Sequence, residues 1–295
     1  MAHLLCCASE TAGSFGEPFE IGGRALSTSD DLPLPLADHR RDKALELRAK
    51  LLDQHRDQVW QQVDDPALLN AQEQAVDALG IQFDQPPAHS PLPPLLQAAT
   101  QCQEDLVLMQ RVPLAPTPPA QSNTTQVGQG QQPQHHIWRL AAGAVFFPSK
   151  WNLKEKIGLP MDQVHAPVPG FGPHSKNADM IARIFDRLIP GKPMERLNWS
   201  IQDDDQLHMP YESGLILDLG SGAKDAWLRM ERQTLHKLAD SNFILFTIRV
   251  FVEPMAEVLA LCPQPVSAHF LGQITNLNPA QQAYKSLAST AVEAP

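Results

Sequence analysis

From Leu36 to Val63 the apolar positions Leu45, Leu47, Leu51, Leu52 and Val59 recur among charged residues and glutamines. That spacing predicts an amphipathic helix. Asp64-Asp65-Pro66 is a helix-start signal, with proline near the first helical position, and predicts a second helix running to Gly80. A third helix is expected after the prolines at 91–94, from Leu95 through Met109. The front third of the chain therefore reads as helical.

Beyond it the periodicity changes. Trp138 to Phe147 is apolar and strand-like, and Met194 to Ile201 (MERLNWSI) is a second candidate strand. Trp227 to Leu235 (WLRMERQTL) alternates as a half-buried strand does. Phe243 to Val252 (FILFTIRVFV) is β-branched and aromatic and gives the strongest strand signal in the chain. Helices are expected near Ala178–Leu188, Met255–Leu261 and Val266–Leu277. Strands separated by irregular connections and short helices, without a repeating βαβ rhythm, predict an α+β fold with an antiparallel sheet. No internal repeat is apparent. The expected organisation is an N-terminal arm (1–31), a helical region packing on the core (32–111), a Pro/Gln-rich flexible loop (112–136) and a core domain (137–295). The loop holds five prolines and many glutamines and can bury little apolar surface.

Composition narrows the functional classes. An apolar content of 43% is enough for a core, and a formal charge of -10 leaves no basic surplus to displace counterions from a nucleic acid. Cys6, Cys7, Cys102 and Cys262 are too few and too scattered for a disulfide framework, and no CxxC pair suggests a zinc or iron–sulfur site. Adjacent Cys6 and Cys7 are read as ordinary tail cysteines rather than lipid carriers. No apolar run reaches membrane-spanning length, and no secretory signal pattern is present. A cytoplasmic location is expected, with an organelle transit peptide left open.

Several residues carry candidate chemistry. Leu215 to Gly222 (LILDLGSG) is a strand entering a glycine turn and resembles the first motif of S-adenosylmethionine-dependent methyltransferases. The further glycine is absent, and too little chain follows for that doubly wound sheet, so a turn between strands is the favoured reading. His165, in Val-His-Ala-Pro-Val-Pro-Gly, is held by two prolines and a glycine in a backbone with little entropy left to lose. From the residues alone it is either an aimed imidazole or a loop histidine bonded to nearby carbonyls. Arg232 and Arg249 sit in the two best strand candidates. Alternation puts Arg249 with Phe243, Leu245, Thr247 and Phe251, a face on which a guanidinium needs an anionic partner. Glu231 or a carboxylate ligand would serve. His208 after Asp203-Asp204-Asp205, and the pair His135-His136, are read as solvated loop histidines.

Taken in order, these pieces resemble the haem-dependent oxidative N-demethylase family. The resemblance rests on Gln103-Glu104-Asp105-Leu106, Phe147-Pro148-Ser149-Lys150-Trp151, Glu155-Lys156-Ile157-Gly158 and the Val164–Gly170 stretch. It continues through Asn198-Trp199-Ser200, Leu228 to Leu235, and Phe246-Thr247-Ile248-Arg249. It implies a PAS-like fold holding b-type haem, which uses dioxygen to demethylate a small amine. His165 is the position carried over as iron ligand. From charge and strand geometry, Arg232 and Arg249 are then expected to meet propionates or substrate polar groups, and Glu231 to be the catalytic partner of a cationic amine. Electrons would come from a separate reductase carrying flavin and an iron–sulfur centre, since neither is expected in this chain. A haem-binding or sensor protein without turnover is the alternative, and a methyltransferase the distant one. The chain departs from the family pattern at Lys150, Ala239 and Phe251, where arginine, proline and tyrosine are expected, and in the length of the 112–136 insertion.

Overall fold

The computed structural model describes residues 24–25, 39–83, 91–114, 136–211 and 226–287. The glycine motif at 215–222, His135, Cys6 and Cys7 lie outside them. The described elements are β1 (Arg24–Ala25), α1 (Arg41–Gln54), α2 (Arg56–Val59), β2 (Trp60–Gln62), α3 (Leu68–Leu79), α4 (Pro94–Ala99), β3 (Glu104–Pro113) and β4 (His136–Ala144). They continue with α5 (Leu153–Lys156), α6 (Met161–Val164), α7 (Lys176–Arg187), β5 (Met194–Gln202), β6 (Trp227–Lys237), β7 (Phe243–Pro254), α8 (Met255–Leu261), α9 (Gln264–Thr275) and α10 (Pro279–Tyr284).

All strand pairs are antiparallel, in the order β1-β5-β6-β7-β3-β4-β2. The fold is α+β, with helices flanking one sheet. Among the five long strands, the first in the chain (β3) and the last (β7) lie side by side at the centre. The connection from β4 to β5 carries α5, α6 and α7. Their apolar residues Ile157, Met161, Val164, Ile181 and Phe185 pack with Val107, Met109, Leu235 and Ile244 of the sheet. No described helix is long and apolar enough to cross a membrane.

The local signals explain most elements. In α3, Leu68, Ala71, Gln72, Ala75, Val76 and Leu79 form one buried stripe, and Gly80 ends the helix in the left-handed conformation at φ 64°. Ser175 caps α7 by accepting the Ala178 N–H at 3.1 Å. Two helix expectations are corrected. The first helix stops at Gln54 and, after the short α2, Trp60–Gln62 pairs with β4 as an edge strand. The third stops at Ala99, and the residues through Met109 belong to β3. Every residue from Glu104 to Gln110 is buried, because β3 is covered on both faces. A strand of that kind shows a continuous apolar run rather than alternation, which is indistinguishable by period from a buried helix.

One buried ion pair ties the front helices to this strand. Arg48 of α1 donates to Asp105 Oδ1 at 2.8 Å, to the Gln103 carbonyl at 2.7 Å and to the Ala99 carbonyl at 3.2 Å. Its guanidinium lies 4.6 and 4.5 Å from the ring centroids of Phe146 and Phe147. Asp105 in turn accepts the backbone N–H groups of Phe146 and Phe147, each at 2.9 Å. Both side chains are essentially without solvent exposure. Asp105→Ala strands a buried guanidinium and two N–H groups and is expected to destabilise the protein by about 3–5 kcal/mol. Urea denaturation measures this, and a loss near zero would show that the pair does not anchor the helices.

Candidate functional site

His165 caps the single turn of α6. Its backbone N–H donates to the Met161 carbonyl at 3.1 Å, and its ring Nδ1 makes a 3.0 Å bond to the same oxygen. A carbonyl only accepts, so Nδ1 carries the proton and the lone pair resides on Nε2. Burial, with the positive charges of Arg196 and Lys156 behind it, pulls the pKa of His165 down to about 4 against the opposing Met161 bond. The ring is therefore neutral at physiological pH. Phe171 holds its other side at 5.8 Å between centroids. Gly170, at φ 82°, turns the chain back after the two prolines, and a Cβ there would meet Asn177 at 3.2 Å. His165 and Arg196 are each half-buried and near enough for the Arg196 charge to act on the imidazole, so both border one partly open recess.

The floor of that recess is the β5–β6 pair. Cross-strand register sets Asn198 opposite Glu231 and Arg196 opposite Gln233. Glu231 accepts from Arg229 Nε at 3.2 Å, Asn198 Nδ2 at 3.3 Å and Gln233 Nε2 at 2.9 Å. Three donors fix its place, and the charges of Arg196 and Lys285 act beside it. Arg229 also donates to the carbonyls of Phe147 and Leu207, which links Glu231 to the strand-end turn that Asp105 grips. The C-terminal segment closes one side. A capping box between Asn278 and Gln281 starts α10, and just beyond it Lys285 donates to the Trp199 carbonyl at 2.6 Å and lies 4.1 Å from the Trp199 ring centroid. Burial first, then the nearby Lys150 and Arg196 charges, bring the Lys285 pKa to about 7 against the pull of Glu231. Lys150, at one of the departures from the family pattern, donates to Ser286 Oγ.

The structure thus brings His165 and Glu231 to the same side of the sheet. It places Arg232 and Arg249 on the other. They are direct cross-strand neighbours, and each alternates with residues of the recess floor along its strand. Arg232 pairs through Nε with Glu195, not Glu231, while its two Nη atoms are buried without a hydrogen-bond partner. Arg249 donates to the Val250 carbonyl at 2.8 Å and lies 4.6 Å from the Phe251 centroid. Phe251 shares that face, so the position where the resemblance leads one to expect a tyrosine lies on the side away from His165. Of the remaining histidines, His208 bonds the Phe146 carbonyl at 2.7 Å, and His136 bridges Arg111 and Asp186. Among the described residues no three His, Cys, Asp or Glu side chains gather as a metal site. Arg196 and Lys285 escaped the sequence reading. Arg196 was within reach, because it precedes Asn198 by two and must share its face. Lys285 carries no local signal.

The face bearing Arg232 also holds His236, whose pKa burial and the Arg232 charge pull from 6.5 to about 4. Thr234 Oγ1 lies 2.9 Å from its Nε2. A histidine with a depressed folded pKa contributes stability that is present above the unfolded value and lost as pH falls through the folded one. Unfolding free energy should therefore drop between about pH 6.5 and 4, and more shallowly in His236→Gln. Parallel profiles for the two proteins would contradict the burial of a neutral ring.

The protein thus carries a neutral, oriented imidazole on the side of an antiparallel sheet that also bears Glu231. The family model described as haem-dependent oxidative N-demethylase, alpha subunit-like, matches residues 70–293, which include β3 to β7, His165, Arg196, Glu231 and Lys285. The chain belongs to that haem-dependent oxidative N-demethylase alpha subunit-like family.

Proposed function

We propose that this protein binds b-type haem through His165 Nε2 and works as the haem-bearing, N-demethylating component on a small amine. The observation that carries the reading is the His165–Met161 bond. Ligating histidines commonly donate their second ring N–H to a backbone carbonyl, which fixes both tautomer and ring orientation. The low pKa adds that no proton needs to be displaced when a metal binds. The donor set therefore fits a haem that the His165 imidazole would hold through Nε2. The central pairing of first and last strands, with the ligand on the connection between β4 and β5, supports a PAS-type core.

Bound haem supplies the activation of dioxygen. The chain's own residues do the rest. Met161 aims the imidazole, and Phe171 limits its rotation. Glu231, already oriented by Arg229, Asn198 and Gln233, presents a fixed negative charge to which an amine N–H can donate. The C-terminal segment borders the recess through Lys285, which is tied to the Trp199 carbonyl. Electrons are assigned to a separate reductase carrying flavin and an iron–sulfur centre.

Absorption spectroscopy of haem-supplemented protein tests the reading. A Soret band is expected in the native protein and should be shifted or lost in His165→Ala; an unchanged band overturns the ligand assignment. Formaldehyde released from dimethylamine with a reductant supports demethylation of a small amine. Haem binding without any amine effect on the spectrum favours a sensor.

A further inference from the structure

Residues 255–284, which carry α8, α9 and α10, hold a single Asp, Glu, Lys or Arg, namely Glu257, in a chain that is 19% charged. The inner faces of α8 and α9 pack on the sheet, where Met255, Val258, Phe270 and Ile274 meet Trp199 and Met230. The outer faces are apolar as well. Leu261 is 76% exposed and Leu271 42%. The twelve residues of α9 include no charged side chain, whereas α7, of equal length, exposes Lys176, Asp179, Arg183 and Arg187. A helix without a charged outer face is normally covered on both sides. Gly272, beside Leu271, has open space where a side chain would stand, so the face offers a projecting leucine next to a hollow.

We propose that the outer surface of α8 and α9 is the contact between two copies of this chain, related by a two-fold axis. Charge selects a second copy over a different partner. The formal charge of -10 makes two copies repel, and near a two-fold axis each residue faces its own equivalent. A charge there would meet its like, and a charge-free face removes that repulsion where it would be strongest. A different protein can be met by complementary charge, which the acidic remainder of the surface offers. A two-fold contact also needs one surface to supply both projection and hollow, as Leu271 and Gly272 do. Beyond α9 the chain continues into α10 and Lys285, so the contact braces the segment that borders the recess.

Sedimentation equilibrium of the full-length protein across micromolar concentrations tests this. The native protein should be a reversible dimer. Leu261→Glu and Leu271→Glu each place a carboxylate on both sides of the contact and should weaken association about tenfold or more. Leu69→Glu, at a leucine of α3 that is 58% exposed, is the control and should leave the dimer intact. Far-ultraviolet circular dichroism should be alike in all these proteins, because each leucine replaced is exposed. Sodium sulfate should tighten the dimer, since it screens the net repulsion and strengthens apolar contact. A native protein that stays monomeric overturns the proposal and leaves the face to a different partner. So does a dimer that neither Leu261→Glu nor Leu271→Glu weakens, one that Leu69→Glu weakens as much, or one that salt loosens as it would a contact held by ion pairs.

Discussion

The contact between Arg48 and Asp105 is the constraint from which the site is built outward. Asp105 lies on the central strand β3 and grips the backbone of Phe146 and Phe147, where the chain leaves β4. Arg229 takes the Phe147 carbonyl on one side and Glu231 on the other. A continuous run of polar contacts thus passes from helix α1, through the sheet, to the carboxylate on the recess floor. Each group in it is buried or nearly so, where an unmade hydrogen bond is expensive and a made one fixes position. The floor is therefore rigid for reasons that begin in the N-terminal helices.

How much of this was legible from the residues follows from burial. Strands β5, β6 and β7 were readable because β-branched, aromatic and alternating residues leave a clear period of two. Strand β3 was hidden, since full burial on both faces erases that alternation. His165 was legible as a rigid, aimed residue from its prolines and glycine, whereas its decisive bond to Met161 depends on α6 being one turn long. Glu231 and Arg232 are consecutive in a strand and so must point to opposite faces, which separates the two arginines from the carboxylate. Lys285 arrives from the far end of the chain, and no local pattern announces a contact made only after folding.

The two faces of the β5–β6–β7 sheet do different work. One carries Arg232 paired with Glu195, and the Thr234–Thr247 contact at 2.6 Å, a polar layer that holds strands together. The other carries Glu231, Asn198, Gln233 and Arg196, whose charge acts on the neutral His165 imidazole. Family membership gives the haem-dependent reading a context, and the proposed site places its parts on one side of the sheet.

That assignment is tested most directly by the position of iron in crystals of haem-loaded protein, found by anomalous scattering at the iron edge. The account predicts iron bonded to His165 Nε2, on the face that carries Glu231 and Arg196. Iron on the face of Arg232 and Arg249, or bonded to another residue, would contradict it.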